Sequence, residues 1–159
     1  MTWEFLGSAK LSGTADIITV DPIEVRESIA LQAIVINDGT SQIEPAFRFN
    51  NDSGSNYIQK ISTDGGSYTT STGQTSIELS TSTAPVYINT AIQNLASDDK
   101  LAISNIVSRN TAGAGNVVNR WENQGEWTNS SNAIVRIDLI NNGSGDFGAD
   151  SELVIFGSD

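Results

Sequence analysis

At 159 residues with 38% hydrophobic content, the chain is long enough to bury a core without staples and fits one domain, 1–159. Nineteen acidic against eight basic residues give a net charge of −11, a field that repels phosphate backbones and anionic lipids and suits a basic partner face or a divalent cation. With no cysteine and no histidine, disulfides, thiolate nucleophiles, Ser-His-Asp and Cys-His catalysis and the commonest transition-metal ligands are excluded.

The polar remainder is mostly Ser, Thr, Asn and Gly, the residues of turns and strand surfaces, which points to an all-β protein. The start, Met1-Thr2-Trp3-Glu4-Phe5-Leu6, lacks the basic and apolar regions of a signal peptide, and no stretch is long enough to span a bilayer; the expectation is a soluble protein made in the cytoplasm.

In chain order, Trp3 to Leu11 and Ala15 to Val20 read as two short strands joined at Ser12-Gly13-Thr14, the second ending at Asp21-Pro22. Ile29 to Ile36 is the most continuous apolar run and reads as a strand buried on both faces or central in a sheet. Asn37-Asp38-Gly39-Thr40 is a corner. From Phe47 to Gln59 the alternation of Phe47, Arg48 and Phe49 stops at Asn50-Asn51-Asp52-Ser53-Gly54-Ser55-Asn56 and resumes at Tyr57, giving a strand, a polar corner and a returning strand. Thr63 to Gln74 reads as a long loop or irregular edge.

Ile77 and Leu79 start a short strand; Val86 to Leu95 and Lys100 to Val107, separated by Ala96-Ser97-Asp98-Asp99, read as an antiparallel pair. Thr111 to Val118 is rich in small residues and reads as a flexible excursion. Arg120 to Trp127 carries two tryptophans, Ile134, Arg136, Asp138 and Ile140 continue a period-2 strand, Asn142 to Asp146 turns the chain, and Leu153 to Phe156 ends it. About ten short strands without helical periodicity argue for an antiparallel β-sandwich of jelly-roll type.

Several residue groups are candidates for chemistry. Asn50, Asp52 and Asn56 fix a turn in the plain reading and bind a sugar or calcium in the functional one. Asp146, Asp150 and Glu152 lie close in sequence among glycines and offer oxygen ligands to calcium, although their spacing is not that of an EF-hand. A pair of these carboxylates is also the minimum for glycoside hydrolysis, but none sits in an apolar context that would raise its pKa, so the reading is non-enzymatic. Tyr57, Trp121 and Trp127 are core or interface residues in the plain reading and a platform for a sugar ring in the other. Arg48 and Arg136, between apolar strand positions, are expected on outer faces beside an acidic neighbour.

The opening Trp3-Glu4-Phe5-Leu6-Gly7-Ser8, the Arg48-Phe49-Asn50-Asn51-Asp52-Ser53-Gly54-Ser55-Asn56-Tyr57 corner, Gly125-Glu126-Trp127-Thr128-Asn129 and the stretch from Gly145 to Val154 resemble small jelly-roll virion proteins of tailed bacteriophages. The resemblance spans nearly the whole chain, and its most distinctive part is the Phe-Asn-x-Asp-x-Gly-x-Asn-Tyr pattern. It implies a structural protein of the particle, on the head or near the tail, with no catalytic residues and no cofactor unless calcium is bound. The expected function is a capsid decoration or cement protein on the virion surface, a homotrimer by resemblance, with itself and the major capsid protein as partners. The alternative is a receptor- or cell-surface-glycan-binding module of a tail spike, fibre or head projection.

Overall fold

The structure, a computed structural model, describes residues 2–39, 41–109 and 113–159. Among them are twelve strands and no helix: β1 Glu4–Lys10, β2 Ile17–Val20, β3 Ser28–Val35, β4 Pro45–Phe49, β5 Tyr57–Thr63, β6 Thr69–Gln74, β7 Ile77–Glu78, β8 Val86–Gln93, β9 Lys100–Arg109, β10 Val118–Trp127, β11 Ile137–Asn141 and β12 Glu152–Ser158. They form two antiparallel sheets, one of eight strands in the order β1-β12-β3-β8-β9-β10-β5-β6 and one of four in the order β2-β11-β4-β7.

The chain is all-β, and the sheets are built by repeated crossing. β1, β3, β5, β8 and β12 belong to the large sheet, while β2, β4, β7 and β11, which interleave with them in sequence, belong to the small one. Sheet-on-sheet packing follows from the period-2 pattern: alternate residues of each large-sheet strand turn towards the small sheet and the rest turn away. In β9 the inward set is Lys100, Ala102, Ser104, Ile106 and Ser108. Ile29, Leu31, Ala33 and Val35 of β3 meet Ile137 and Leu139 of β11 and Phe47 and Phe49 of β4 in one core cluster. Hydroxyls on the inward faces pair with each other, Thr90 Oγ1 donating to Ser104 Oγ at 2.8 Å, so their burial leaves them satisfied.

Several expectations are corrected by this arrangement. β3 is central in its sheet, between β12 and β8, as one of its two readings has it, but it is buried on one face only: Ile34 is 52% exposed, and among the described residues no element covers the far side of the large sheet. β5 does not return along β4; the polar corner carries the chain from the small sheet to the large one. Of the two readings of Thr63 to Gln74, the irregular edge is the one met: β6 pairs with β5 at the sheet edge with a shift in register. β11 starts at Ile137, and Ile134 enters the core ahead of it. Of the expected small-residue excursion, Thr111 and Ala112 lie outside the described residues, as does Thr40 of the 37–40 corner. The expected pairing of β8 with β9 is present over Val86 to Ile92.

The two sheets approach closely at Gly125. A Cβ built there would lie 2.7 Å from Ile77 Cδ1 and 2.8 Å from its Cγ2, across the sandwich. Gly125→Ala should therefore overpack the core and cost about 1–3 kcal/mol in chemical denaturation, whereas Gly13→Ala, whose Cβ meets nothing within 4 Å, should leave the midpoint near that of the parent protein. Equal midpoints for the two variants would mean that the sheets are not in contact at this point.

Candidate functional site

The polar corner between β4 and β5 is a closed hydrogen-bonding unit. Asn50 and Asn51 take φ of 50° and 57°, the left-handed region that Asn tolerates better than most side chains. Asn50 Nδ2 donates to the Ala133 carbonyl at 2.8 Å, and its Oδ1 accepts the N–H groups of Val135 and Arg136 at 2.9 and 3.1 Å. The Asp52 carboxylate accepts from the Gly54 N–H at 2.8 Å, from Asn56 Nδ2 at 2.9 Å and from Trp127 Nε1 at 2.8 Å. These side chains hold the corner, the 133–136 segment and the end of β10 together, which is the turn role.

Tyr57 and Trp127 are fully buried. Their rings stack at 6.3 Å between centroids, and Phe49 packs on both. The Tyr57 hydroxyl accepts the Phe49 N–H at 3.0 Å and donates to the Asp52 carbonyl at 3.0 Å, and burial pushes its pKa up. Trp121 is 6% exposed and belongs to the same core cluster. None of the three presents a ring face to solvent, so the glycan platform is replaced by the core reading, and the cause is that inward positions of β5 and β10 face the small sheet. Beneath Trp127 lies a fully buried Lys100, whose Nζ donates to the carbonyls of Asp98 and Asn129 at 2.5 and 2.6 Å and sits 5.9 Å from the ring centroid. Burial lowers its pKa, against the opposing pull of Asp99 and Asp98.

The three carboxylates proposed for calcium are separated by their elements. Asp146 lines a small loop recess with Asp38 and Ser144. Asp150, at φ 70°, is bound by Lys10 at 2.8 Å, and the same contact raises the Lys10 pKa, first through the hydrogen bond and then through charge. Glu152 opens β12 on the outer side of the large sheet, paired in register with Lys10 and Ile34. Among the described residues no three acidic side chains converge as a metal site. Arg136 does find its acidic neighbour, gripping the fully buried Asp138 by Nε at 3.0–3.1 Å and Nη2 at 2.9 Å, and Thr19 Oγ1 donates to the same carboxylate at 2.6 Å.

The feature that sequence reasoning missed is the outer face of the large sheet. Phe5, Ile34, Tyr87, Leu101, Ile103 and Val107 are all exposed there. Two shallow depressions mark it: one of about 450 Å³ floored by Ala91 and walled by Trp3, Leu101 and Ile103, and one of about 310 Å³ between Ile34, Tyr87, Val107 and Val118. A signal was available in β9, where Leu101, Ile103 and Val107 alternate with Ala102 and Ile106; apolar residues at both parities mean that both faces are meant to be covered. This face also differs in charge from the rest. Lys10, Lys60, Arg109 and Arg120 stand there with Asp64, Glu122, Glu126 and Glu152, and Asp150 meets Lys10 at the edge. The face is therefore close to neutral, and most of the net −11 lies off it.

Two measurements test this assignment of roles. Burial alone would raise the Asp52 pKa, but the donors Asn56, Trp127 and Gly54 overcome it and hold the pKa below its ordinary value. Such a carboxylate adds stability that is complete above the unfolded pKa of about 3.9 and is lost as pH falls through the lower folded value. Asp52→Asn should cost about 1–3 kcal/mol at pH 7 and show a shallower loss of stability below pH ~4 than the parent protein; identical acid limbs would remove the corner from this role. EDTA should leave the thermal midpoint unchanged, and a fall on chelation would mean that Asp146, Asp150 and Glu152 do converge on a cation.

In comparisons with known proteins, no family model, no curated protein and no solved structure matches the chain.

Proposed function

We propose that this chain is a non-enzymatic structural protein that works by binding flat surfaces, and that it decorates the head of a tailed bacteriophage. The observation that carries the binding reading is the outer face of the large sheet: broad, rich in exposed apolar side chains and close to neutral on an otherwise strongly acidic protein. Apolar faces of this kind mark contact surfaces, since an uncovered one is costly in water and prone to non-specific association. The particle itself is supplied by the resemblance of the Phe49 to Tyr57 corner and the chain ends to virion proteins.

The strand order supports a jelly-roll reading of the sandwich. Set apart β5–β6 and β9–β10 as inserted hairpin and ribbon; the remaining eight strands then stand as β1-β12-β3-β8 against β2-β11-β4-β7, the two four-stranded sheets of a double Greek key. The added strands widen one sheet only, which is how the large outer face arises.

As a decoration protein it acts by mass action. A protein that binds the assembled shell and not its free subunits lowers the free energy of the assembled state by its binding term, so the shell resists rupture. The partners in this reading are the major capsid protein and further copies of the chain. The rest of the surface, which carries most of the acidic excess, suits a lattice surface with basic residues.

Quantitative mass spectrometry of separated heads and tails tests the proposal. Head-associated copies comparable in number to the capsid subunit are expected. A few copies travelling with tails would replace decoration by the receptor- or glycan-binding reading, and absence from both fractions would remove the virion assignment.

A further inference from the structure

Antiparallel register sets the side chains of successive strands opposite one another, so the outer face of the large sheet reads in rows. One row is centred on Tyr87 of β8. Ile34 of β3 lies on one side of it and Val107 of β9 on the other. Beyond them come Glu152 of β12, opposite Ile34, and Arg120 of β10, opposite Val107. The ends are Lys10 of β1, opposite Glu152 and also held by Asp150 at 2.8 Å, and Asp64, just past β5. Asp64 is fixed beside Arg120 by two hydrogen bonds of 2.8 Å, its N–H to the Arg120 carbonyl and its Oδ1 from the Arg120 N–H. In order, the row is positive, negative, apolar, aromatic, apolar, positive, negative. Reversed end for end, it is its own complement.

We propose that the occupant of this face is a second copy of the chain, docked face to face about a two-fold axis that runs along β8 and passes through Tyr87. The axis sets Arg120 of each copy against Glu152 of the other, Lys10 against Asp64, Ile34 against Val107, and Tyr87 against its own equivalent. Two neighbouring rows obey the same operation. Gln32, Asn89 and Asn105 share a row, so the axis opposes amide to amide, groups that both donate and accept. Ala30, Ala91 and Ile103 share the next, so the small Ala30 receives the larger Ile103 of the other copy. Sheets stacked face to face lie ~10 Å apart.

Size and charge agree with this. Eight strands at ~4.8 Å spacing and four side-chain rows at ~6.8 Å give a patch of roughly 34 by 20 Å, about 700 Å² before corrugation, beside about 800 Å² per partner in a standard interface. The face carries four bases and, with Asp150 on Lys10, five acids, so two copies meet where the molecule is close to neutral, while most of the acidic excess lies elsewhere. A three-fold arrangement, as the resemblance implies, does not bring this row onto its own reverse; an isologous two-fold does. The inference rests on the outer face being a contact surface and is independent of the phage particle.

Sedimentation equilibrium of the full chain and of two charge variants tests it. The parent protein should form dimers. Arg120→Glu alone and Glu152→Arg alone each place like charges across the axis and should weaken the dimer by about tenfold or more. Mixing the two variants should restore dimers, because in the mixed pair the two substituted side chains, now of opposite charge, face each other at one site and the native Arg120–Glu152 pair stands at the other. Thermal unfolding of each variant near the parent midpoint excludes misfolding as the cause. A monomer at all concentrations, a trimer, dimers unaffected by either substitution, or a mixture that stays monomeric would each overturn the proposal, and none of these results bears on the copy number in heads and tails.

Discussion

The corner from Asn50 to Asn56 carries a constraint on which the rest of the sandwich depends. It is the place where the chain leaves the small sheet and enters the large one, and it leaves Asp52 beside the indole of Trp127 at the far end of β10. Two sheets that share only apolar contacts can slide, because the hydrophobic effect is non-directional. A carboxylate holding three donors, together with an Asn side chain holding three backbone groups, fixes their relative position. Phe49, Tyr57 and Trp127 then pack beneath this fixed point.

Much of the fold follows from this pinning. With Tyr57 and Trp127 opposite each other in register, β5 and β10 are aligned along their whole length, and Gly125 comes under Ile77 of the small sheet. β10 in turn sets β9, and β9 sets β8, so the extra strands widen the large sheet to eight against the four of the small one. The outer face is a product of that excess.

Electrostatics separates the two sides of the molecule. Most of the acidic excess lies off the outer face, and self-repulsion there keeps copies apart. On the outer face charges of both signs flank the apolar centre of the Tyr87 row. Such an arrangement adds little to the stability of a monomer, where exposed pairs such as Arg120 and Glu122 at 3.8 Å contribute weakly. In the proposed dimer it gives orientation to an association that the apolar rows drive.

Composition and period-2 patterning were enough to read an all-β chain, the pairing of β8 with β9 and the turn role of the Asn50 to Asn56 corner, because these depend on residues close in sequence. The burial of Tyr57 and Trp127 was legible as the plainer reading of two aromatic strand positions. What the sequence left open depends on which sheet each strand joins. Asp146, Asp150 and Glu152 are neighbours along the chain, yet a turn and a strand start send them to a loop recess, to Lys10 and to the outer sheet face. The rows of that face combine residues from β1, β12, β3, β8, β9 and β10, far apart in the chain and adjacent only through register. Local preference determined the strands and the turns, and long-range pairing alone decided which side chains stand next to one another, since hydrogen-bonded register carries no mark in the order of residues along the chain.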